Sequence, residues 1–129
     1  MPEKKLTIIS LILVAALFGC AVPKEIMFPV KGSRTVGVRK GQVLKLQFDA
    51  NASTGYIWEL ADSANKGVIE QVGKIRYIHT SNRIGAPGIQ IFRCEGMKKG
   101  KAALTFEYRR PWEKDAKPAK RYVVRVLVT

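Results

Sequence analysis

The most regular feature of the chain is an alternation of apolar and polar positions in short segments. Leu44, Leu46 and Phe48 alternate with Lys45 and Gln47, and similar short runs follow as far as the C-terminus. A period of two residues is typical of strands that bury one face. The pattern predicts strands around residues 44–48, 56–60, 68–72, 75–80, 89–94, 104–108 and 122–128.

Breaks that contain glycine, asparagine or proline separate these segments, and no long helical pattern is present. Seven or eight short strands in about 100 residues are typical of a two-sheet all-β domain. We therefore expect an immunoglobulin-like antiparallel β-sandwich of seven to eight strands over residues 34–129. A partly closed barrel is the alternative architecture.

A short apolar segment near the N-terminus has the pattern of an export signal. Lys4 and Lys5 precede an uncharged run from Leu6 to Gly19. This run is shorter than the about 20 residues that a transmembrane helix needs, and its length is typical of a signal peptide. It ends in the residues Leu17-Phe18-Gly19-Cys20, which resemble a bacterial lipobox with Cys20 as the residue that carries the lipid.

These features predict how the chain is organised before the domain begins. Residues 1–19 are interpreted as a signal peptide of the lipoprotein type, and residues 20–33 as a tether with the first residues of the mature chain. We expect an exported bacterial lipoprotein, anchored to the membrane through Cys20, in the outer membrane or periplasm. If Cys20 carries no lipid, an ordinary secretory signal and a periplasmic or secreted protein are the alternative.

Composition and charge narrow the classes of protein that the chain can represent. The 129 residues suffice for one domain, and 47% apolar with 26% charged residues is typical of a globular chain. The 23 Lys and Arg against 10 Asp and Glu give a net charge of +13, but they are scattered and form no long basic tract. A solvated basic surface therefore explains the charge better than nucleic-acid binding does.

The residues that could carry catalytic or metal chemistry are few. His79 is the single histidine, and Cys94 is the single cysteine besides Cys20. One histidine and one cysteine do not supply a zinc site or a nucleophile with its base and orienting group. We expect no enzyme activity, no metal and no cofactor. Cys94 lies in an apolar alternating run and is predicted to be a core residue without a disulfide partner.

Three segments between the predicted strands are more informative. The first is Asn51-Ala52-Ser53-Thr54-Gly55-Tyr56, whose polar side chains and glycine are typical of a turn. The second is Ile84-Gly85-Ala86-Pro87-Gly88, whose small residues let another backbone approach closely. The third contains Arg110-Pro111-Trp112, and Trp and Arg are residue types that dominate binding energies at protein interfaces.

In this order the three segments resemble the inhibitory loops of the chagasin family of cysteine-protease inhibitors. The corresponding motifs here are NASTGY, GAPG and RPW, and the resemblance covers the chain from about residue 35 onward. It implies an immunoglobulin-like sandwich with the loops at one end, which inhibits papain-like cysteine proteases. We expect the protein to be a monomer. The alternative is a periplasmic or surface β-sandwich that binds another component and inhibits no protease. Trp58 also fits the family pattern and is predicted to be a core residue.

The resemblance also implies a role for each loop. Ser53, Thr54 and Gly55 would cover the catalytic centre of the protease. The segment 84–88 would lie along the unprimed subsites, while Arg110 and Trp112 would grip the primed side. The predicted protease-binding residues are Asn51, Ser53, Thr54, Gly55, Tyr56, Ile84, Gly85, Ala86, Pro87, Gly88, Arg110, Pro111 and Trp112.

Three positions depart from the family pattern. Ala52 replaces a proline and is expected to loosen the first loop. Ser53 replaces a threonine and keeps the hydroxyl. Pro87 replaces a glycine, which removes a backbone N–H from the second loop and restricts φ. We expect these departures to affect affinity and the choice of protease more than the basic activity.

The lipobox-like segment leads to a direct test. When the protein is expressed in a bacterium, mass spectrometry of the membrane fraction is expected to show a diacylglyceryl group on Cys20. Recovery of the mature chain from the soluble fraction with an unmodified Cys20, or with cleavage at another position, would contradict this prediction.

Overall fold

The computed structural model describes residues 23–129, so the predicted signal peptide and Cys20 lie outside the described residues. Within this part of the chain there is no helix long and apolar enough to cross a membrane. The described residues form nine strands: β1 (Glu25–Val30), β2 (Arg34–Val38), β3 (Val43–Ala50), β4 (Ile57–Ala64), β5 (Ile69–Gln71), β6 (Arg76–His79), β7 (Gly88–Gly96), β8 (Gly100–Arg109) and β9 (Lys120–Val128).

The strands form two sheets that pack face to face. One sheet has the order β1-β3-β7-β5, with β6 also paired to β7, and the other has the order β2-β9-β8-β4. The prediction of an all-β, immunoglobulin-like sandwich is confirmed. Both sheets are mixed, however, because β1 pairs in parallel with β3 and β2 pairs in parallel with β9. Parallel neighbours need a crossover, and the chain makes one when it passes from β1 through β2 in the other sheet before it returns to β3.

Two strands were missing from the predicted set, and both lie before residue 40. Strand β1 occupies Glu25–Val30, so this part of the segment predicted as a tether belongs to the sandwich. The physical reason is visible in its alternation: Ile26 and Phe28 pack against the core and Val30 is buried, while the intervening side chains are exposed. Strand β2 likewise buries Val38 against the core.

Four aromatic side chains form the centre of the core. Phe48 of β3 lies with its ring centroid 4.8 Å from Trp58 of β4, 5.4 Å from Phe92 of β7 and 4.7 Å from Phe106 of β8. Tilted and edge-to-face arrangements at these distances are favourable for aromatic rings. Because β3 and β7 belong to one sheet and β4 and β8 to the other, this cluster joins the two layers.

A buried polar contact also joins the two sheets. Gln90 of β7 is 5% exposed, and its side-chain amide donates to the Trp58 carbonyl while its side-chain oxygen accepts from the Trp58 N–H. The indole N–H of Trp58 donates to the Asp49 carbonyl at 3.0 Å. Trp58 and Gln90 therefore satisfy each other's polar groups, as burial requires.

The predicted core positions Trp58 and Cys94 are both confirmed, with exposures of 2% and 1%. Burial raises the pKa of the Cys94 thiol to about 12, which keeps it protonated and unreactive at neutral pH. Every residue of the buried core cluster lies between Val30 and Val128. A chain that begins at residue 21 therefore keeps the whole of this core.

Replacing Phe48 by alanine is expected to destabilise the domain by about 3–5 kcal/mol, because a fully buried ring that contacts three others leaves a large cavity. The free energy of unfolding would be measured by urea denaturation followed by tryptophan fluorescence. The control variant Ile75→Ala removes a side chain that is 44% exposed, and a change within about 0.5 kcal/mol is expected. Similar losses in both variants would contradict a central role for the Phe48 ring.

Candidate functional site

The strand registers bring the three predicted loops to the same end of the sandwich. Ala50, before the first loop, pairs with Gly88, which follows the second loop. Ile57, after the first loop, pairs with Arg109, which precedes the third loop. We call this end the loop end, made of the first loop (51–56), the second loop (80–87) and the third loop (110–119).

The first loop is a short 3-10 turn, Ala52–Thr54, with its own side-chain caps. The Asn51 side-chain oxygen accepts from the backbone N–H of Ser53 at 3.2 Å and from its hydroxyl at 2.5 Å. The Thr54 hydroxyl donates to the Asn51 carbonyl at 2.7 Å. Gly55 ends the turn with φ 82°, a left-handed conformation that favours glycine. The NASTGY sequence thus specifies the local shape of the loop.

Two tyrosines, one from each sheet, hold the first loop on the sandwich. The Tyr108 hydroxyl of β8 accepts from the Asn51 N–H at 3.0 Å, and the Tyr77 hydroxyl of β6 accepts from the Ala52 N–H at 3.1 Å. Neither tyrosine was predicted as a site residue. The available signal was a tyrosine near a strand end, where an apolar ring with a polar tip commonly finds a hydrogen-bond partner.

The hydrogen bond from the Ala52 N–H to Tyr77 changes the interpretation of the alanine that replaces the family's proline. A proline at this position has no N–H and could not donate to Tyr77. The expected loosening of the first loop is therefore offset by a hydrogen bond that proline would exclude. Gly88 makes room for this contact, because a Cβ at this position would lie 2.5 Å from the Tyr77 ring.

The first loop is bonded directly to the second. The Asn51 side-chain amide donates to the Gly85 carbonyl at 3.1 Å, so one side chain both caps the first loop and connects it to its neighbour. Within the second loop the Thr80 hydroxyl donates to the Pro87 carbonyl at 2.6 Å. Ile84 at the tip is fully exposed, at 105%. The second loop therefore exposes an apolar side chain on a backbone that is held by hydrogen bonds.

The first loop is also bonded to the third. The Arg110 Nε–H donates to the Thr54 carbonyl at 3.2 Å, and the guanidinium lies 4.6 Å from the centre of the Tyr56 ring. Glu113 completes this arrangement with a 3.1 Å ion pair to Arg110. The guanidinium is thus occupied within the loop end, and it joins the two loops as a brace.

Trp112 is the largest exposed side chain of the loop end, with 68% of its surface accessible. Its ring covers Gly55 so closely that a Cβ there would lie 2.3 Å from the Cη2 atom. The indole therefore rests on the first loop with one edge and presents the remainder to solvent. A large aromatic held in this way is suited to binding a protein partner.

Arg109 shapes the third loop and was not predicted as a site residue. Its guanidinium donates to the backbone carbonyls of Glu113, Lys114 and Ala116 at 3.4, 3.1 and 2.9 Å. Such bonds to three carbonyls within four residues fix a loop that has no regular secondary structure of its own. The doublet Arg109-Arg110 was visible in the sequence, but the different partners of the two side chains depend on the fold.

Comparison with known proteins shows the family to which the chain belongs. The sequence profile of the chagasin family of peptidase inhibitors matches residues 37–126. The chain belongs to the chagasin family. This is a family of protease inhibitors and not of enzymes. Amoebiasin-2 of Entamoeba histolytica is 27% identical over 94 residues, which are 73% of this chain and 76% of that protein.

Solved structures of chagasin-type inhibitors share the fold. The cysteine protease inhibitor EhICP2 from Entamoeba histolytica has a TM-score of 0.68 and 21% identity, with 84% of this chain and 100% of that chain covered. The solution structure of amebosin has a TM-score of 0.63 and 22% identity, with 84% and 100% covered. PbICP-C, solved in complex with falcipain-2, has a TM-score of 0.59 and 19% identity, with 83% and 100% covered.

The loop end of this chagasin-family chain is suited to binding a partner, and His79 and Cys94 do not form a reactive pair there. His79 is exposed on β6 beside Gly88, whereas Cys94 is buried and pairs with Leu44 further along β7. The two residues therefore do not form a nucleophile and base. Within residues 23–129, no group of three or more His, Cys, Asp or Glu side chains could hold a metal ion.

Two glycine substitutions test the contact between the first and third loops. Gly55→Ala and Gly85→Ala both place a Cβ on a backbone with positive φ, 82° and 79°, which costs about 1–2 kcal/mol in each case. Only at Gly55 does the new Cβ collide with the Trp112 ring, since the nearest atom at Gly85 is 4.0 Å away.

Gly55→Ala is therefore expected to displace the indole and change the acrylamide quenching of Trp112 fluorescence, while Gly85→Ala leaves it unchanged. Trp58 is buried and contributes little to the quenched signal. Equal quenching in both variants and the wild type would contradict the packing of Trp112 on Gly55.

Proposed function

We propose that the loop end occludes the active-site cleft of papain-like cysteine proteases and inhibits them reversibly, competitively and without a covalent bond. Membership of the chagasin family supports the class of activity. The structural relative PbICP-C, solved in complex with falcipain-2, supports a cysteine protease as the partner. The main support for the proposal is that hydrogen bonds join the three loops. Exposed apolar side chains, Ile84 and Trp112, lie on both sides of the first loop.

The first loop is the centre of the proposed wedge. Asn51 ties it to Gly85 on one side, and Arg110 ties it to the third loop on the other. Ile84 and Trp112 are exposed beyond these two ties. A narrow central turn with an apolar anchor in each flanking loop is complementary to a cleft whose two walls lie on either side of a catalytic cysteine.

Preorganisation supports tight binding without covalent chemistry. Binding loses conformational entropy when loops must become ordered, and loops that are already fixed lose less. The backbone N–H groups of Asn51 and Ala52 are bonded to tyrosines of the sandwich, and those of Thr54 and Gly55 are bonded within the turn. The protease would therefore meet a loop that already has its bound shape.

The shape of the first loop also explains how the inhibitor would escape cleavage. Attack by a cysteine thiolate needs a peptide carbonyl close to the sulfur and correctly oriented. The segment Ala52–Thr54 is a 3-10 turn, whose Ala52 carbonyl accepts from the Gly55 N–H, and the Thr54 carbonyl accepts from Arg110. These carbonyls are turned toward partners in the inhibitor, so the turn presents a poor substrate.

The flanking loops would bind the two walls of the cleft. We assign Ile84–Gly88 to the unprimed subsites and Trp112 to the primed side. Pro87 has no N–H to offer to the enzyme, so Ile84 and the remaining backbone would supply the contacts of the second loop. Arg110 would act mainly by holding the first and third loops together, because its guanidinium is already bonded to Thr54 and Glu113.

We also propose that the chain functions as a monomeric lipoprotein, anchored through Cys20 to a bacterial membrane, in the outer membrane or periplasm. The lipobox-like residues Leu17–Cys20 support this location. In this arrangement the protein would inhibit proteases that reach the cell envelope.

The proposed activity is tested by titration of papain with the soluble chain that begins at residue 21. Stoichiometric, competitive inhibition is expected, and papain whose active-site cysteine carries a small alkyl group is expected to bind as well. Lack of inhibition of any papain-like enzyme at micromolar inhibitor, or rapid cleavage of the inhibitor on incubation, would overturn the proposal.

Trp112→Ala is expected to weaken papain binding by about 1–3 kcal/mol, the range of an aromatic hot spot, while the free energy of unfolding changes little. The matched control is Leu127→Ala, which removes a side chain that is 41% exposed on β9 and distant from the loop end. Inhibition constants would be measured for the wild type and for these two variants. An unchanged inhibition constant for Trp112→Ala would place the third loop outside the contact.

A further inference from the structure

The end of the sandwich opposite the loop end consists of three turns. Val43 pairs with Glu95, so the β2–β3 turn (39–42) lies beside the β7–β8 turn (97–99). The β4–β5 turn (65–68) lies next to them, because Ile69 pairs with Gly96. We call this surface the basal end.

Backbone hydrogen bonds hold the three basal turns together. The Gly41 N–H donates to the Gly96 carbonyl at 2.8 Å, and the Met97 N–H donates to the Val68 carbonyl at 2.8 Å. The Asn65 side chain donates to the Lys101 carbonyl at 2.6 Å. The basal end is therefore a connected surface with a defined arrangement of side chains.

This surface is strongly basic. Five exposed cations occupy the three turns, and the turns contain no carboxylate side chain: Arg39, Lys40, Lys66, Lys98 and Lys99. None of the four ion pairs found among residues 23–129 involves these five cations. Met97, in the same turn as Lys98 and Lys99, is 40% exposed and adds an apolar side chain.

The N-terminal segment reaches the sandwich at the same end. The Gln42 side chain donates to the Pro23 carbonyl at 2.6 Å, and the Val43 N–H donates to the Lys24 carbonyl at 2.8 Å. Cys20 precedes Pro23 by only three positions, which limits the separation of the two residues to about 10 Å. That separation is close to the Debye length of about 8–10 Å at physiological ionic strength.

We propose that the basal end docks on a bilayer of anionic phospholipids and holds the loop end away from the membrane. Basic side chains within a Debye length of an anionic lipid surface are attracted to it. Basic residues that are scattered in the sequence therefore lie together at the basal end, where Pro23 and Lys24 contact the sandwich.

The test uses the soluble chain that begins at residue 21, which lacks Cys20, so its result does not depend on lipidation or on protease inhibition. Cosedimentation with vesicles of phosphatidylcholine containing 30% phosphatidylglycerol, compared with pure phosphatidylcholine, is expected to show binding only to the anionic vesicles. The binding is expected to fall steeply as the salt concentration rises.

Two triple variants with the same change in net charge locate the surface. The basal variant is Lys66→Gln, Lys98→Gln and Lys99→Gln. The control variant, Lys31→Gln, Lys74→Gln and Arg121→Gln, removes three exposed cations outside the basal turns. Each basal lysine contributes about fivefold to binding near an anionic surface, so the basal variant is expected to bind roughly 100-fold more weakly. The control variant is expected to lose less than tenfold.

Equal losses in the two variants would show that net charge alone drives binding and would overturn the proposal. No binding of the wild type to anionic vesicles at low salt would overturn it as well. Binding to heparin or DNA without binding to anionic vesicles would identify a soluble polyanion as the partner and would also count against a membrane surface. Urea denaturation of both variants would confirm that each is folded under the assay conditions.

Discussion

The packing of Phe48 against Trp58, Phe92 and Phe106 is the interaction on which the rest of this structure depends. These four rings come from β3, β4, β7 and β8, the strands that lead into or out of the three loops. Gln90 adds two hydrogen bonds between the sheets at the backbone of Trp58. A change in the spacing of the two sheets would therefore move the loops relative to one another.

At the loop end, hydrogen bonds fix the three loops, as aromatic packing fixes the two sheets. The hydroxyl groups of Tyr77 and Tyr108 reach from the sandwich to the backbone of the first loop, and the side chains of Asn51 and Arg110 extend that order to the second and third loops. Because the loops bond to one another as well as to the strands, their arrangement is a property of the whole end. The proposed inhibitory surface can therefore consist of small residues, a turn and few large side chains.

The two ends of the sandwich have different chemistry. Antiparallel strands place successive connections at alternate ends, and in this chain the longer loops lie at one end while the short Lys- and Gly-containing turns lie at the other. The parallel strand β1 brings the N-terminal segment to the basic end. With this topology, the proposed protease contact and the proposed membrane attachment lie at opposite ends of the sandwich.

The sequence by itself determined the all-β class, the burial of Trp58 and Cys94, the local turn of NASTGY and the order of the three motifs, because each depends on periodicity or on residues close together in the chain. The tertiary structure decided the parallel edge strands, the tyrosine anchors, the different tasks of Arg109 and Arg110, and the bond between Asn51 and Gly85. These features join positions that are distant in the chain or divide similar neighbours between different partners. The relevant atoms meet only when strand register and sheet packing are set, and no local pattern encodes that geometry.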